Sequence, residues 1–320
     1  MPTNTTPRTK AFIALHSAVF LWGFTAILGK LISYGSLYLV WHRMAITAAI
    51  YLLIPAVWKQ LKFLSLKTTL NFAGIGLIVC AHWITFYGSI KLGNSVSITL
   101  ACLGSASFFA AIIEPTILRK PYSLRDILMG LIVMLGIVLI YFSLPVQPAA
   151  TAAQPNLSYG WAIITGIVSA ALAATFTTLN KKHITTAPTL AISTIEMMSG
   201  AIFLSLIILL FPMGDYQAFP TLNMDALNLQ NLRTGPWDFI WIGLLALLCT
   251  NLTFYLGTYA LKQLSAFTAN LTVNLEPIYG IVLGALIFKE NEDLNLWFYL
   301  GTSLILGAIF TQAYLSSKEN

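Results

Sequence analysis

Residues 12–31 read FIALHSAVFLWGFTAILGKL, twenty positions whose only basic side chains are His16 and Lys30 and which hold no acid. A hydrocarbon core about 30 Å thick takes about twenty apolar residues at a helical rise of about 1.5 Å each. Phe12–Leu31 therefore has the length of one crossing. Its apolar residues are continuous, not alternating, so a helix suits the run and a barrel strand does not. Working outward, nine further stretches share this character: Leu37–Trp58, Asn71–Leu92, Ser95–Leu118, Ile127–Leu144, Tyr159–Lys181, Leu190–Phe211, Trp237–Leu261, Ser265–Phe288 and Leu296–Leu315. Upstream, Met1–Lys10 is polar and carries Arg8 and Lys10. The apolar run after it is longer than a signal peptide core and lacks a small-residue cleavage site, so it reads as an uncleaved first helix.

Composition agrees. Apolar residues make up 58% of the 320 positions and charged residues 9%, with a mean hydropathy of +0.80. A soluble domain carries roughly a quarter charged residues, so the surface meant for water is small. Ten crossings with short links leave no room for a soluble domain of ordinary size. The formal charge of +6 could suit a nucleic acid, but the basic residues are scattered in short loops without a basic-aromatic module, and a nucleic-acid partner is excluded. Topology accounts for them better. With the N-terminus in the cytoplasm, the inner side collects Arg8, Lys10, Lys59, Lys62, Lys67, Arg119, Lys120, Arg125, Lys181, Lys182, Lys262 and Lys318. The outer side keeps Lys30, Lys91, Arg233 and Lys289. This positive-inside bias puts both termini in the cytoplasm of a multi-pass protein of the cell (cytoplasmic or inner) membrane. Cys80, Cys102 and Cys249 lie inside apolar runs without metal or CxxC spacing, which reads as packing.

The chain also resembles itself. Ser17-Ala18, Phe24-Thr25 and Lys30 line up with Ser169-Ala170, Phe176-Thr177 and Lys182. Thr85-Phe86-Tyr87 recurs as Thr253-Phe254-Tyr255, and Gly130 and Gly136 match Gly301 and Gly307. Five helices per copy is odd, so the copies must point in opposite directions. The expected fold is all-α: ten transmembrane helices as two inverted five-helix repeats, residues 1–144 and 159–320. Residues 145–158, rich in Ala, Pro and Gln, form the linker. Residues 212–236 form a long outer loop, with a short surface helix placed around Met224–Leu232. Inverted repeats are a common architecture of secondary transporters, with the solute site between the copies near the midplane.

Trp22-Gly23, Lys30 and Arg43 in the first two spans, with Leu275-Glu276-Pro277, Gly284, Lys289-Glu290 and Gly301 in the last two, resemble the EamA-type members of the drug/metabolite transporter superfamily. The resemblance covers essentially the whole chain. It implies a central cavity lined by the first, third, fourth, sixth, eighth and ninth helices, and export of small metabolites, often amino acids. The first repeat departs from the pattern. Ser105-Ala106 stand where the second copy has Glu276-Pro277, Glu114-Pro115 follow about two turns later, and Lys120-Pro121 replace the Gly-Glu common at that helix end.

An ionisable group at the centre of a membrane helix costs about 2.5–3.5 kcal/mol on insertion scales, so each calls for a reason. Glu276 is the deepest, and Pro277 frees a backbone carbonyl near it. Asn270 shares roughly one side of that helix with Asn274 and, less closely, with Glu276. Together they line the solute path or make a helix–helix polar contact. Arg43 matches a carboxylate bidentately, or snorkels to the outer headgroups, or pairs with Glu276. His82, Trp83 and Tyr87 form a polar-aromatic group in the third span, matched by Thr250, Asn251, Tyr255 and Tyr259 in the eighth, and Trp22 joins them. These residues line a shared cavity for an apolar or aromatic solute, or pack helices together. Lys30 and His16 read as interfacial, Glu114 as a surface partner of Arg119 and Lys120, and Glu196 as a structural acid or a proton carrier.

No HExxH, GxSxG or Walker A pattern and no metal-ligand spacing is present, so the expectation is neither an enzyme nor a cofactor- or metal-binding protein. The leading expectation is a secondary transporter or facilitator that exports a small metabolite, with Glu276 coupling export to protons. Its partners are the solute and the bilayer, and a homodimer is left open. The alternative is an integral-membrane enzyme acting on a lipid or isoprenoid.

Overall fold

The apolar runs fold as helices, since a chain segment in lipid must satisfy its own backbone hydrogen bonds. In the computed structural model, residues 7–142, 155–210, 235–261, 264, 272–273, 275–292 and 294–317 are described. The linker at 145–158 lies mostly outside the described residues, and the outer loop at 212–236 almost wholly so. Asn270 and Asn274 also lie outside them.

The first part of the chain forms α1 (Pro7–Leu31), α2 (Ser36–Leu52), α3 (Pro55–Lys62), α4 (Leu66–Gly93), α5 (Val96–Leu103), α6 (Ala106–Leu118) and α7 (Leu124–Phe142). The second part forms α8 (Pro155–His183), α9 (Thr189–Leu210), α10 (Asp238–Ala246), α11 (Thr253–Leu261), α12 (Glu276–Phe288) and α13 (Leu296–Ser317). Local chemistry sets several ends. Ser65 and Ser95 cap α4 and α5 by accepting from the backbone N–H of Thr68 at 3.1 Å and Ile98 at 3.2 Å. Asn94 ends α4 in the left-handed region at φ 44°. Between α10 and α11 the chain widens into a π turn, Leu247–Leu252.

Among the described residues, seven helices are long and apolar enough to cross a membrane, with Val96–Leu118 and Asp238–Gly257 each counted as one. The number rises to eight if α2 and α3 form one bent span. α12 and Leu296–Gln312 of α13 are shorter apolar helices. The second span, expected to run straight through Leu37–Trp58, instead breaks after Leu52 and turns by 89°. Pro55 explains the break. It disfavours helical geometry at Ile54, which adopts φ −88° and ψ 112°, and it lacks the N–H that a continuous helix would use.

The pairing of helices is regular. α1 packs on α11 and α12, while α8 packs on α4 and on α5 and α6; α2 packs on α9, and α7 on α13. Exchanging each element of the first half for its match in the second leaves this pattern unchanged, as a two-repeat architecture requires. Two of the crossings rest on glycine. A Cβ on Gly136 would lie 2.7 Å from the carbonyl oxygen of Gly301. A Cβ on Gly23 would lie 3.1 Å from the Glu276 carbonyl oxygen and from the Gly280 nitrogen. Backbone cannot move aside as a flexible side-chain tip can. Gly23→Leu should therefore cost about 1–3 kcal/mol through overpacking, seen as a lower thermal midpoint in detergent. An unchanged midpoint would show that α1 and α12 do not meet so closely.

Candidate functional site

The inward face of α2 carries Leu39, Arg43, Thr47 and Tyr51 at four-residue steps, all buried. Arg43 is only 3% exposed, so it does not snorkel outward. Its Nε donates to Thr250 Oγ1 at 2.9 Å and its Nη1 to Tyr87 Oη at 2.8 Å. The guanidinium lies 3.7 Å from the centre of the Trp83 ring, close cation–π contact. Trp83 and Tyr87 thus share the face of α4 that their spacing foretold. Thr250 and Asn251 come from the π turn, where their side chains donate to carbonyls five residues back, Leu245 at 2.9 Å and Ala246 at 3.1 Å. Such turns recur at functional sites. Asn251 Oδ1 is buried without a hydrogen-bond partner among the described residues.

Glu276 opens α12, with Pro277 beside it in the first turn, where a missing N–H costs little. Glu276 lies within electrostatic reach of Arg43 and of Tyr87. Among the described residues, no carboxylate stands within ion-pair distance of Arg43. The hydrogen bonds described for the guanidinium all go to neutral groups.

The other expected site residues are dispersed. His82 turns to α8, where its Nδ1 meets the carbonyl oxygen and the hydroxyl of Ser169, both at 2.9 Å. That is an interhelical clasp, and Ser169 was not foreseen in it. Trp22 and Tyr259 pack with Tyr279 against the apolar cluster of Ala11, Leu15, Val19, Ala260 and Leu264. Tyr255 is 68% exposed and joins neither group. Arg43, Trp83, Tyr87 and Thr250, with Glu276 in reach, form the group that the structure brings together.

Charged groups also tie the two ends of the bundle. Glu290, 4% exposed, accepts from Lys30 Nζ at 2.8 Å, from the backbone N–H of Val96 and of Ser97 at 2.9 Å each, and from Ser95 Oγ at 3.1 Å. Lys30 also donates to the Asn94 carbonyl and lies 4.6 Å from the centre of the Phe288 ring. Lys30 is thus held by protein and does not reach for headgroups. Burial pushes the Glu290 carboxyl up, but hydrogen bonds from Lys30, Ser97 and Val96 outweigh it and hold the group below the usual range. At the far end of the Val96–Leu118 span, Glu114 pairs with Lys181 at 2.7 Å and Lys120 at 3.3 Å. Lys120 had been expected; Lys181, from the other half, had not. Both lysines are more than half exposed, so this pair is worth little. The Lys289-Glu290 motif was the available signal for the buried tie, but nothing local pointed to Lys30.

The family model described as the EamA-like transporter family matches residues 9–142 and again 160–312. No curated protein matches the chain. A solved structure described only as "Crystal structure of protein" superposes over 97% of this chain and 98% of its own, with a TM-score of 0.61 at 12% identity. At that identity the likeness concerns the fold alone.

Proposed function

The chain belongs to the EamA-like transporter family, a family of multi-pass membrane transporters of small solutes, and from that premise we propose that it exports a small zwitterionic or anionic metabolite of amino-acid type from the cytoplasm. The observation that carries the reading is Arg43, a buried cation held by a hydroxyl pair and an indole ring, with no ion-paired carboxylate among the described residues. A guanidinium so placed suits a solute carboxylate. Glu276 and the unpartnered Asn251 Oδ1 suit an ammonium. Trp83 and Tyr87 offer an aromatic wall.

In this reading the protein has ten spans. The seven long helices, the bent α2–α3 pair and the two shorter apolar helices are read as those ten. Residues 1–144 and 159–320 form inverted repeats joined by the linker at 145–158, the outer loop at 212–236 faces away from the cytoplasm, and both termini face the cytoplasm. The family match in two halves and the exchange-symmetric helix pairing support it. The repeats rock about the Arg43 site to open it alternately. Trp22, Tyr259 and His82 shape the helix contacts around it.

Glu276 carries the coupling proton. Metabolite profiling of cells with and without the protein is expected to show one class of small amino-carboxylate depleted inside and enriched outside; no change in either pool would end the export reading. In vesicles loaded with that solute, Glu276→Gln is expected to leave folding intact and abolish the response of flux to an imposed proton gradient. Undiminished gradient-driven flux would remove Glu276 from the coupling.

A further inference from the structure

A second buried carboxyl lies apart from the Arg43 group. Glu196 sits in α9 and is 7% exposed. The Asn180 amide, on α8, lies within hydrogen-bonding reach of the Glu196 carboxyl group. Two buried oxygens of this pair, Glu196 Oε1 and Asn180 Oδ1, have no hydrogen-bond partner among the described residues. Both are acceptors if Glu196 is a carboxylate, and acceptors cannot satisfy each other.

Among the described residues, no cation forms an ion pair with the group. From α2 the neighbour is Tyr51, within electrostatic reach. From α4, Gly76 lies against the backbone of Glu196 and the hydroxyl of Ser199, and Cys80 lies near Gly200. The Ser199 hydroxyl is spent on the Glu196 carbonyl at 3.0 Å. On α8, Lys181 is committed to Glu114, Lys182 is exposed, and His183 faces the ring of Phe72. On α3, Lys59 and Lys62 are exposed. A bare carboxylate in this setting carries its full desolvation cost with nothing against it.

One proton resolves both orphans. A carboxylic acid and a primary amide can form a cyclic pair in which the acid O–H donates to the amide oxygen and the amide N–H donates to the acid carbonyl. We infer that Glu196 and Asn180 form a second proton-binding site, with Glu196 a neutral acid at neutral pH that releases and regains its proton during transport. The proton comes from water at the end of the bundle where α8 meets α9. Release leaves a carboxylate that keeps the amide N–H and loses the bond to Asn180 Oδ1. That loosens α8 from α9, which come from the first two spans of the second half. The protonation assignment is independent of what the protein carries, whereas the use of the proton rests on the transporter reading.

Infrared spectra of the full chain in a carbonyl-free maltoside detergent test the assignment. The wild-type minus Glu196→Gln difference at pH 7 is expected to show a carboxylic-acid C=O band lost in the variant and shifted by deuterium exchange. A lost carboxylate band overturns the assignment, and so does a signal that appears only when choline is replaced by sodium, because a metal ion would then hold the site. Should Glu196→Gln fail to fold, Asn180→Leu serves instead: the acid band should persist at higher frequency, and an unmoved band overturns the pairing. In vesicles, Glu196→Gln is expected to flatten the pH profile of flux; an unchanged profile removes the proton from the cycle. Absence of flux in the wild type with the acid band present would fault the transporter reading and leave the site standing.

Discussion

Arg43→Met is expected to lower kcat/KM for solute flux about 10- to 100-fold while leaving the thermal midpoint of the protein unchanged or raised. A hydrogen-bonded contact to a charged group contributes about 1.5–3 kcal/mol, and about 1.4 kcal/mol is a factor of ten, which sets that range. The stability half of the expectation follows from the partners. Arg43 donates to Thr250 and Tyr87 and stacks on Trp83, all neutral. Its removal therefore strands no carboxylate at contact distance and relieves a buried cation of its desolvation cost. Thr250 keeps its bond to the Leu245 carbonyl. Arg43→Lys should fall between, since lysine keeps the charge but loses the planar fork and the stacking. If Arg43 instead serves to bind α2 to α4 and the π turn, Arg43→Met will melt well below wild type and its flux will fall with the folded fraction. Parallel melting and vesicle flux on the three proteins separate the two roles.

What the sequence disclosed, and what it hid, follows from the range of the forces involved. Continuous apolar runs disclose helices because lipid leaves the backbone no other way to bond, and the four-residue step from Trp83 to Tyr87 discloses a shared face by helical geometry alone. The direction of Arg43 was not legible. α2 is apolar nearly all round, so nothing in its own residues marks the inward side, and the partners that fix it, Tyr87 and Thr250, stand 44 and 207 positions away. The π turn has no sequence sign of its own, though it brings Thr250 and Asn251 to the site. Tyr255 repeats Tyr87 in the sequence, yet one is 68% exposed and the other fully buried. Internal symmetry in sequence is therefore a guide to the helices and a poor one to individual side chains. The 89° turn at Pro55 was legible in principle, and reading it would have ended the second span at Leu52.

Glu290→Ala is expected to cost about 3 kcal/mol of stability, the penalty for removing one member of a buried ion pair. It would strand the Lys30 ammonium, 16% exposed, and the two backbone N–H groups of Val96 and Ser97. Glu290→Gln should do little better, because its NH2 group would point a donor into a ring of donors. Lys30→Met combined with Glu290→Gln should recover part of the loss, and purely additive melting shifts would show the two side chains to be independent. The pH dependence has a definite sign. The folded protein binds a proton at Glu290 more weakly than the unfolded chain does, so this contribution is fully present above the unfolded carboxyl value of about 4.3. It is lost as pH falls through the lower folded value. The wild-type midpoint should decline below about pH 4 by more than that of Glu290→Gln, and identical acid limbs would mean that the carboxylate does not hold this end together. The tie joins α1 and the α4–α5 turn from one half to the end of α12 from the other, so its strength bears on function as well. A transporter whose halves rock must break and remake it in every cycle if that end opens, and the weaker Glu114–Lys181 pair at the opposite end gives far less resistance. Opening at the Glu114 end is the cheaper of the two motions, and Glu290→Gln should shift the balance toward the other.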